Sequence, residues 1–362
     1  MHPNPQGNVR SAQIVLPCDE LEETLAFFTD RLGFRVDSIH PADEPSVAVV
    51  SGHGVCIRLQ RGASGAPGVL RLLCRDPSVL AGGAADLVAP NGTRVELVPS
   101  EPPLVLPLLR PSFVLAKAAD ARWVEGRAGM RYRDLIPDRQ GGRFVASHIR
   151  IHDGGPVPDY VHFHVVAFQM IYCARGWVRL VYEDQGAPFV LREGDCVLQP
   201  PRIRHRVLES SPGMEVIELG SPAAHETFAD HELGLPTPVS RPERLFDGQR
   251  FVRHQAAAAT WRPGPDAAFE WRDLGLAAGT AGRAGARIRR VPAGAPPDER
   301  THEAELLFRF VLRGAATLAC EGRDAEHVGE GDAFVVPAGV RHAVAAGPQG
   351  LELLEVTLPA GG

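Results

Sequence analysis

The sequence predicts a mainly β protein made of two copies of one all-β domain, with a small α+β region in front of them. The first observation is the predominance of short strand-like runs bounded by Gly, Pro and Asp. These runs are SAQIVLP, SVAVVSG, GVCIRLQ, WVRLVYE, APFVLRE, DAFVVPA and LELLEVTL. The second is a single amphipathic helix near the amino terminus, and the third is an internal repeat.

The helix is predicted over residues 19–33, DELEETLAFFTDRLG. Leu21, Leu25, Phe28 and Leu32 recur at helical spacing, and Gly33 occupies a C-terminal capping position. This segment gives the front of the chain its α+β character.

The repeat relates positions 137 to 139 residues apart. Its four anchors are RDL at 133–135 and 272–274, the Gly-Asp pairs at 194–195 and 331–332, His205 with His342, and the Arg-Gly pairs at 175–176 and 313–314. Such self-similarity indicates a duplicated unit. We therefore expect a front domain over residues 1–102, a linker over 103–120, and two β domains over 121–238 and 239–362.

Composition excludes several classes of function. With 44% hydrophobic and 23% charged residues the chain is typical of a folded protein, and its formal charge of −6 argues against a nucleic-acid partner. No apolar run approaches the ~20 residues of a membrane helix, and the first residues lack the pattern of a signal segment. The six cysteines form no CxxC pair, which favours a reduced, cytoplasmic location and no thiolate metal site.

One strand-like run, VHFHVVAFQM at 161–170, carries the strongest functional signal. Side chains two apart on a strand point to the same side, so His162 and His164 are aimed at one point. This is the geometry that a metal ion needs, whereas a packed core does not need it. The spacing alone leaves open a strand whose two histidines are hydrogen-bonded or face solvent.

The surrounding motifs resemble those of the cupin family, G-x5-HxH-x3,4-E-x6-G and G-x5-PxG-x2-H. The matching segments are DGGPVPDYVHFHVVAFQMIYCARG and GDCVLQPPRIRH. Gln169 stands where the family has glutamate, and Pro201-Arg202 replace the residues after the motif proline. The resemblance implies two tandem double-stranded β-helix (jelly-roll) barrels. It also implies a metal ion held by His162, His164, Gln169 and His205.

The second copy departs further from that pattern. Its segments are PDERTHEAELLFRFVLRG and GDAFVVPAGVRH, in which Arg300 and Leu307 fall on ligand positions and only His302 and His342 remain. We expect a degenerate barrel without a catalytic metal, although Glu303 or Glu305 could supply a ligand through a register shift.

The front region resembles the vicinal-oxygen-chelate family, which includes glyoxalase, bleomycin-resistance proteins and extradiol dioxygenases. The resemblance rests on LEETLAFFTDRLGFRV at 21–36 and APNGTRVELVP at 89–99. It places Gln13 and Glu96 on metal-ligand positions, but the second half is short and a third ligand has no match. We expect a scaffold, with a second metal site as the alternative.

A neutral set of three imidazoles and an amide suits one divalent transition metal, with Fe, Ni, Mn and Zn all possible. Open coordination positions indicate a catalytic site. We expect a metal-dependent enzyme acting on a small oxygenated organic substrate, most simply a dioxygenase. The alternatives are a non-redox isomerase or lyase that uses the metal as a Lewis acid, and a protein that binds a small molecule without transforming it.

Three further side chains are candidates for the substrate site. Tyr160 shares strand parity with His162 and could donate a proton. His148 and Arg150 alternate in SHIRIH. If that face lines the barrel, Arg150 could bind a carboxylate, and otherwise it is an ordinary polar face. The expected partner is a small-molecule substrate, with neither nucleic acid nor membrane and with a homodimer possible.

Overall fold

The computed structural model describes residues 11–41, 44–81, 86–264 and 268–360. The chain divides into two compact units, Met1–Pro103 and Leu104–Gly362. Within the described ranges, no helix is both long and apolar enough to cross a bilayer.

The described part of the first unit contains seven strands and two short helices. Its elements are β1 (Ile14–Pro17), α1 (Leu21–Ala26), β2 (Arg35–His40), β3 (Val47–Gly52), β4 (Val55–Gln60), β5 (Val69–Cys74), α2 (Ser78–Ala81), β6 (Asp86–Val88) and β7 (Arg94–Pro99). Helix α1 continues as a π-helical segment, Phe27–Arg31, and Gly33 follows with φ of +73°. The predicted amphipathic helix is thus confirmed, and Leu21, Phe28 and Leu32 lie in the hydrophobic core of this unit.

The two sheets of the first unit share the same strand connection. They have the orders β1-β4-β3-β2 and β5-β7-β6. In each, the opening strand is followed by a helix and later pairs in parallel with the closing strand, β1 with β4 and β5 with β7. The second sheet has one strand fewer, as expected from its short sequence. The resemblance of this unit to the vicinal-oxygen-chelate family stays a prediction.

The second unit contains the remaining strands. The first barrel is built from β9 (Val124–Glu125), β10 (Arg131–Asp134), β11 (Val145–Ile151), β12 (Gly155–Pro156), β13 (His162–His164), β14 (Phe168–Arg175), β15 (Trp177–Tyr182), β16 (Phe189–Arg192), β17 (Cys196–Leu198), β18 (His205–Ser210), β19 (Met214–Ser221) and β20 (Thr227–Ala229). Strand β8 (Val114–Ala116) precedes it. A short hairpin, β21 (Leu245–Phe246) and β22 (Gln249–Arg250), lies between the barrels in sequence.

The second barrel follows. Its elements, with the strand before it, are β23 (Val252–His254), β24 (Arg262–Pro263), β25 (Glu270–Asp273), α3 (Leu276–Gly279), β26 (Gly285–Val291), β27 (Asp298–Arg300), β28 (Leu306–Cys320), β29 (Glu326–Gly329), β30 (Ala333–Val335) and β31 (His342–Leu358). The strand orders are those expected for two tandem jelly-roll barrels. Strands β17-β14-β19-β11 form one face of the first barrel, and β26-β31-β28-β30 form the matching face of the second.

These two faces pack against each other. Alternate residues of β14 and β19, among them Met170 and Leu219, lie in one hydrophobic cluster with Phe308 and Leu354 of the second barrel. The intervening residues point into the barrel interiors, each of which has its own cluster. Strand alternation therefore assigns each side chain either to the shared interface or to a barrel interior.

Each barrel contributes an edge strand to the other. Strand β8, from the predicted linker, pairs with β30 of the second barrel, and β23 pairs with β17 of the first. The segment 103–120 is therefore more than a linker, because it supplies a strand to the second barrel.

The repeated RDL and Gly-Asp motifs fix this exchange. Arg133 donates to the carbonyl of Gly331 at 2.8 Å, and Arg272 donates to the carbonyl of Gly194 at 3.3 Å. The aspartate that follows each glycine accepts the backbone N–H next to the exchanged strand. These bonds are Ala118 N–H to Asp332 Oδ1 (2.6 Å) and Ala256 N–H to Asp195 Oδ1 (2.8 Å).

Phe308→Ala tests the shared interface. Phe308 is fully buried there, so its truncation should lower the free energy of unfolding by about 3–5 kcal/mol. Leu108→Ala, at a position 82% exposed, should change it by less than about 0.5 kcal/mol. Urea unfolding followed by tryptophan fluorescence reports on this unit, because all four tryptophans lie in it. Equal midpoints for the two variants would contradict the interface.

Candidate metal centre and cavity

Three histidines of the first barrel converge. His162 and His164 lie on β13, and His205 begins β18, directly opposite His162 in the pairing of the two strands. Their ligand nitrogens all lie within 4.8 Å of one another. Elsewhere in the described ranges, no other group of three His, Cys, Asp or Glu side chains meets this criterion.

Each imidazole is oriented by a bond to its Nδ1 atom. His162 Nδ1 lies 2.8 Å from the Tyr160 carbonyl, and His205 Nδ1 lies 3.0 Å from the Ile203 carbonyl. A carbonyl accepts, so Nδ1 of both rings carries the proton and Nε2 keeps its lone pair. His164 Nδ1 lies 2.8 Å from Thr227 Oγ1.

The three rings are held neutral. Burial is the largest cause that lowers the pKa of each, and the neighbouring positive charge of Arg127 adds to it. The pKa of His164 falls to about 3. Neutral imidazole is the form that binds metal, so this set is ready to act as ligands at neutral pH.

Gln169 lies on β14 and lines the same cavity. Its Oε1 accepts from Gln199 Nε2 at 3.1 Å, and its Nε2 donates to Glu218 Oε1 at 2.8 Å. The amide is therefore fixed in orientation, and its oxygen retains a lone pair for a metal.

Glu218 is a further candidate residue, one that the sequence motifs do not include. It lies on β19 and lines the cavity, and burial raises the pKa of its carboxyl above the usual range despite the bond from Gln169. The repeat could have revealed it, since Glu355 stands 137 residues later at the corresponding position of β31.

Arg127 was also missed, because it belongs to no motif. Its Nη1 donates to Asp159 Oδ1 at 2.6 Å, and its Nη2 lies 2.9 Å from His162 Nε2. Asp159 is buried and also accepts the Val207 N–H. A guanidinium is thus anchored beside the three histidines.

The residues present fit a divalent metal ion. Three neutral nitrogens with a nearby amide oxygen are the donors that iron, nickel, manganese or zinc accept. Arg127 donates to the Nε2 lone pair of His162, so metal binding there requires the guanidinium to turn away from that ring.

The site lies in a cavity of about 460 Å³ inside the first barrel. Its walls are largely apolar and include Met130, Ile149, Ile171, Leu180, Met214 and Val216. Tyr160 also lines it and is 42% exposed, with its ring 6.0 Å from that of His162. The polar groups are therefore gathered beside an apolar compartment.

His148 and Arg150 are not part of this cavity, which corrects the catalytic roles considered for them. On β11 it is Ile149 that lines the cavity, so its neighbours point the other way. His148 Nε2 lies 2.7 Å from Glu215 and its ring 5.5 Å from that of Phe310 in the second barrel. Arg150 pairs with the same glutamate at 2.8 Å.

The second barrel has a different interior. His302 Nε2 bonds to the Val336 carbonyl at 2.9 Å, and the rings of His302 and His342 are 6.0 Å apart. Arg300, on the position of a first ligand, bonds to the buried carboxylate of Glu355. The expected degenerate site is thus filled by an ion pair.

In the front unit, Gln13 and Glu96 are the two positions that the resemblance assigns to a metal. Gln13 is exposed, just before β1. The Glu96 carboxylate pairs with Arg71 at 2.8 Å and with Arg94.

Comparisons with known proteins agree with this architecture. A family model described as "Cupin domain" matches residues 287–357, in the second barrel. The second unit has the tandem-cupin fold. No curated protein matched the chain by sequence.

Three solved structures illustrate that fold. Oxalate decarboxylase from Bacillus subtilis has a TM-score of 0.51 at 13% identity, covering 73% of this chain and 79% of its own. The 7S globulin of Momordica charantia has 0.50 at 15%, covering 68% and 84%. Protein Ylba from E. coli has 0.50 at 14%, covering 71% and 95%. A decarboxylase and a globulin share the fold, so the reaction must be argued from the site.

His164→Ala should abolish stoichiometric metal binding, because it removes one of the three converging nitrogens. His152→Ala is the matched control, since His152 is exposed. We expect about one equivalent of metal in the parent and in the control, measured by inductively coupled plasma mass spectrometry on untagged protein. Full retention of metal in the His164 variant would contradict this ligand set.

Glu355→Gln should change the acid stability of the second unit. Burial by itself raises the pKa of Glu355, but the surrounding arginines outweigh it and lower the pKa from 4.5 to about 2. A depressed pKa means that the stabilisation is complete above about pH 4.5 and is lost as the pH falls towards 2; it is worth roughly 3 kcal/mol. The Gln variant should be less stable at pH 7, and its stability should fall less between pH 4.5 and 2.5.

Glu352→Gln is the control on the same strand, where the side chain pairs only with the half-exposed Arg290 among the described residues. Tryptophan fluorescence in urea gives the free energy of unfolding at each pH. Parallel pH profiles for the parent and the Glu355 variant would contradict a paired carboxylate.

Proposed function

We propose that the chain is a metal-dependent enzyme whose first barrel oxidises a small organic substrate with O2, as a dioxygenase. The supporting observation is the convergence of three neutral histidines beside an apolar cavity of about 460 Å³. A cavity of this size suits a small molecule, with its few polar groups fixing orientation. The mostly apolar walls favour a substrate with an oxygenated head and an apolar body over a sugar acid.

His162, His164 and His205 would hold the ion, with the oxygen of Gln169 as the fourth protein ligand. A redox-active divalent ion held there would supply the redox chemistry that the reaction with O2 needs. Gln199 and Glu218 keep the Gln169 amide in place through the two hydrogen bonds to it.

Arg127 would bind the anionic oxygen of the substrate. Its anchor on Asp159 leaves Nη2 beside His162 Nε2, within the cavity. Turned away from that ring, the guanidinium would pair with a substrate enolate or carboxylate. Tyr160, at the exposed side, would orient the substrate, and the apolar walls would keep water from it.

Non-redox isomerase or lyase chemistry is the second candidate, and the position of Glu218 favours it. The Glu218 carboxyl lines the cavity and contacts the Gln169 amide. A carboxyl group so placed could move a proton to or from a substrate that the metal polarises.

The test uses the full chain loaded with Fe²⁺, a β-diketone with an aryl group (benzoylacetone) and an aromatic enediol (catechol). Substrate-dependent O2 uptake in an oxygen electrode is expected for one of them. Arg127→Gln should raise KM about tenfold or more with metal content unchanged, since it removes a charge-assisted bond to the substrate. Arg204→Gln is the control, because Arg204 pairs with Asp230 and does not line the cavity.

The outcomes separate the candidates. Conversion that proceeds equally without O2 would replace the dioxygenase by the isomerase or lyase. Saturable binding of either probe with no conversion, aerobic or anaerobic, would favour a protein that binds small molecules without transforming them.

A further inference from the structure

Four arginines surround one carboxylate inside the second barrel. Arg287 Nε and Arg309 Nε each donate to Glu355 at 2.7 Å, Arg300 also bonds to it, and Arg289 Nη1 lies 3.5 Å away. Glu355 is 1% exposed. These four guanidiniums are called here the arginine cluster.

The arginine cluster has more positive charge than its partners neutralise. Among the described residues, its acidic partners are the buried Glu355 and the partly exposed Asp298, the latter 2.6 Å from Arg289, which leaves a surplus of two positive charges. Two nitrogens each of Arg289 and Arg309 are buried without a hydrogen-bond partner in the described structure. Stacking of Arg289 on Phe269 at 4.0 Å stabilises that charge without neutralising it.

A pocket of about 340 Å³ opens beside the arginine cluster. Arg287 and Arg300 line it together with Glu355, while Ala304 and Leu307 give it an apolar side. Glu303 also lines the pocket, but its side chain is exposed and its charge is screened by water. The inner end is therefore cationic and the adjoining wall apolar.

Positive charge in excess of its counter-charge is costly at a partly buried site such as that of Arg287 and Arg300, and arginine pairs with carboxylates through parallel N–H bonds. We propose that the second barrel binds a small organic carboxylate, with its anionic head on Arg300 and Arg287 and its short apolar body against Leu307 and Ala304. The two barrels would then bind ligands of opposite charge at matching places, a cation in the first and an anion in the second.

Isothermal titration of the EDTA-treated full chain with sodium butyrate, at constant ionic strength in chloride, tests this proposal. We expect saturable binding that weakens at least tenfold in Arg300→Gln. Arg290→Gln is the matched control. It removes one positive charge from β26 at the position after Arg289, and Arg290 does not line this pocket. It should bind like the parent, as should His164→Ala in the first barrel.

A second variant protects the test against misfolding of Arg300→Gln. Thr301 is exposed and lines the pocket, so Thr301→Trp should block butyrate while leaving every charge of the arginine cluster in place. Three results would overturn the proposal. They are no saturable heat at tens of millimolar butyrate, unchanged binding in both pocket variants, and binding that is lost in His164→Ala instead.

Discussion

The reciprocal exchange of edge strands between the barrels is the constraint on which the second unit depends. Arg133 and Arg272 each reach from one barrel to the glycine carbonyl of the other, and Asp195 and Asp332 hold the backbone beside the exchanged strands. These four side chains belong to the RDL and Gly-Asp motifs that repeat in the sequence. They fix the two large sheets back to back, and this sets which face of every strand is available for chemistry.

That orientation explains the contrast between neighbouring residues on one strand. On β11 the side chain of Ile149 reaches the cavity, whereas His148 and Arg150 are held by Glu215 on the opposite face. The same alternation on β14 directs Gln169 into the cavity that the three histidines line and Met170 towards the second barrel. Whether a polar residue points into the cavity or into the interface between the barrels is thus set by whether its position along the strand is odd or even.

The two barrels and the three histidines could be predicted because the repeat and the HxH spacing are visible in the sequence and the motifs around them resemble those of the cupin family. The repeat, the turn-bounded strands and the HxH spacing depend only on local geometry. Arg127 could not be found in this way, since it belongs to no motif and reaches the site through chain packing, and Glu218 was recognisable only from its counterpart Glu355 in the repeat. The parity of Arg150 was undecidable without knowing which face meets the other barrel. The sequence showed that the second barrel lacks metal ligands, but not that its interior contains an arginine cluster. Arg300 and Glu355 are distant in sequence and meet only in the folded chain.

The strand exchange also affects how the two halves can diverge. The core of each barrel is completed by a segment that precedes the other, so a chain cut between them would leave an open sheet edge on both pieces. The second half is therefore indispensable to the first as a structural partner, whatever its pocket does. Residues in its interior can change from histidine to arginine without affecting the first barrel. The glycine turns and the two arginines that connect the barrels, Arg133 and Arg272, cannot change in this way. The two copies of the duplicated domain therefore depend on each other for their fold, whereas the chemistry of their interiors differs independently.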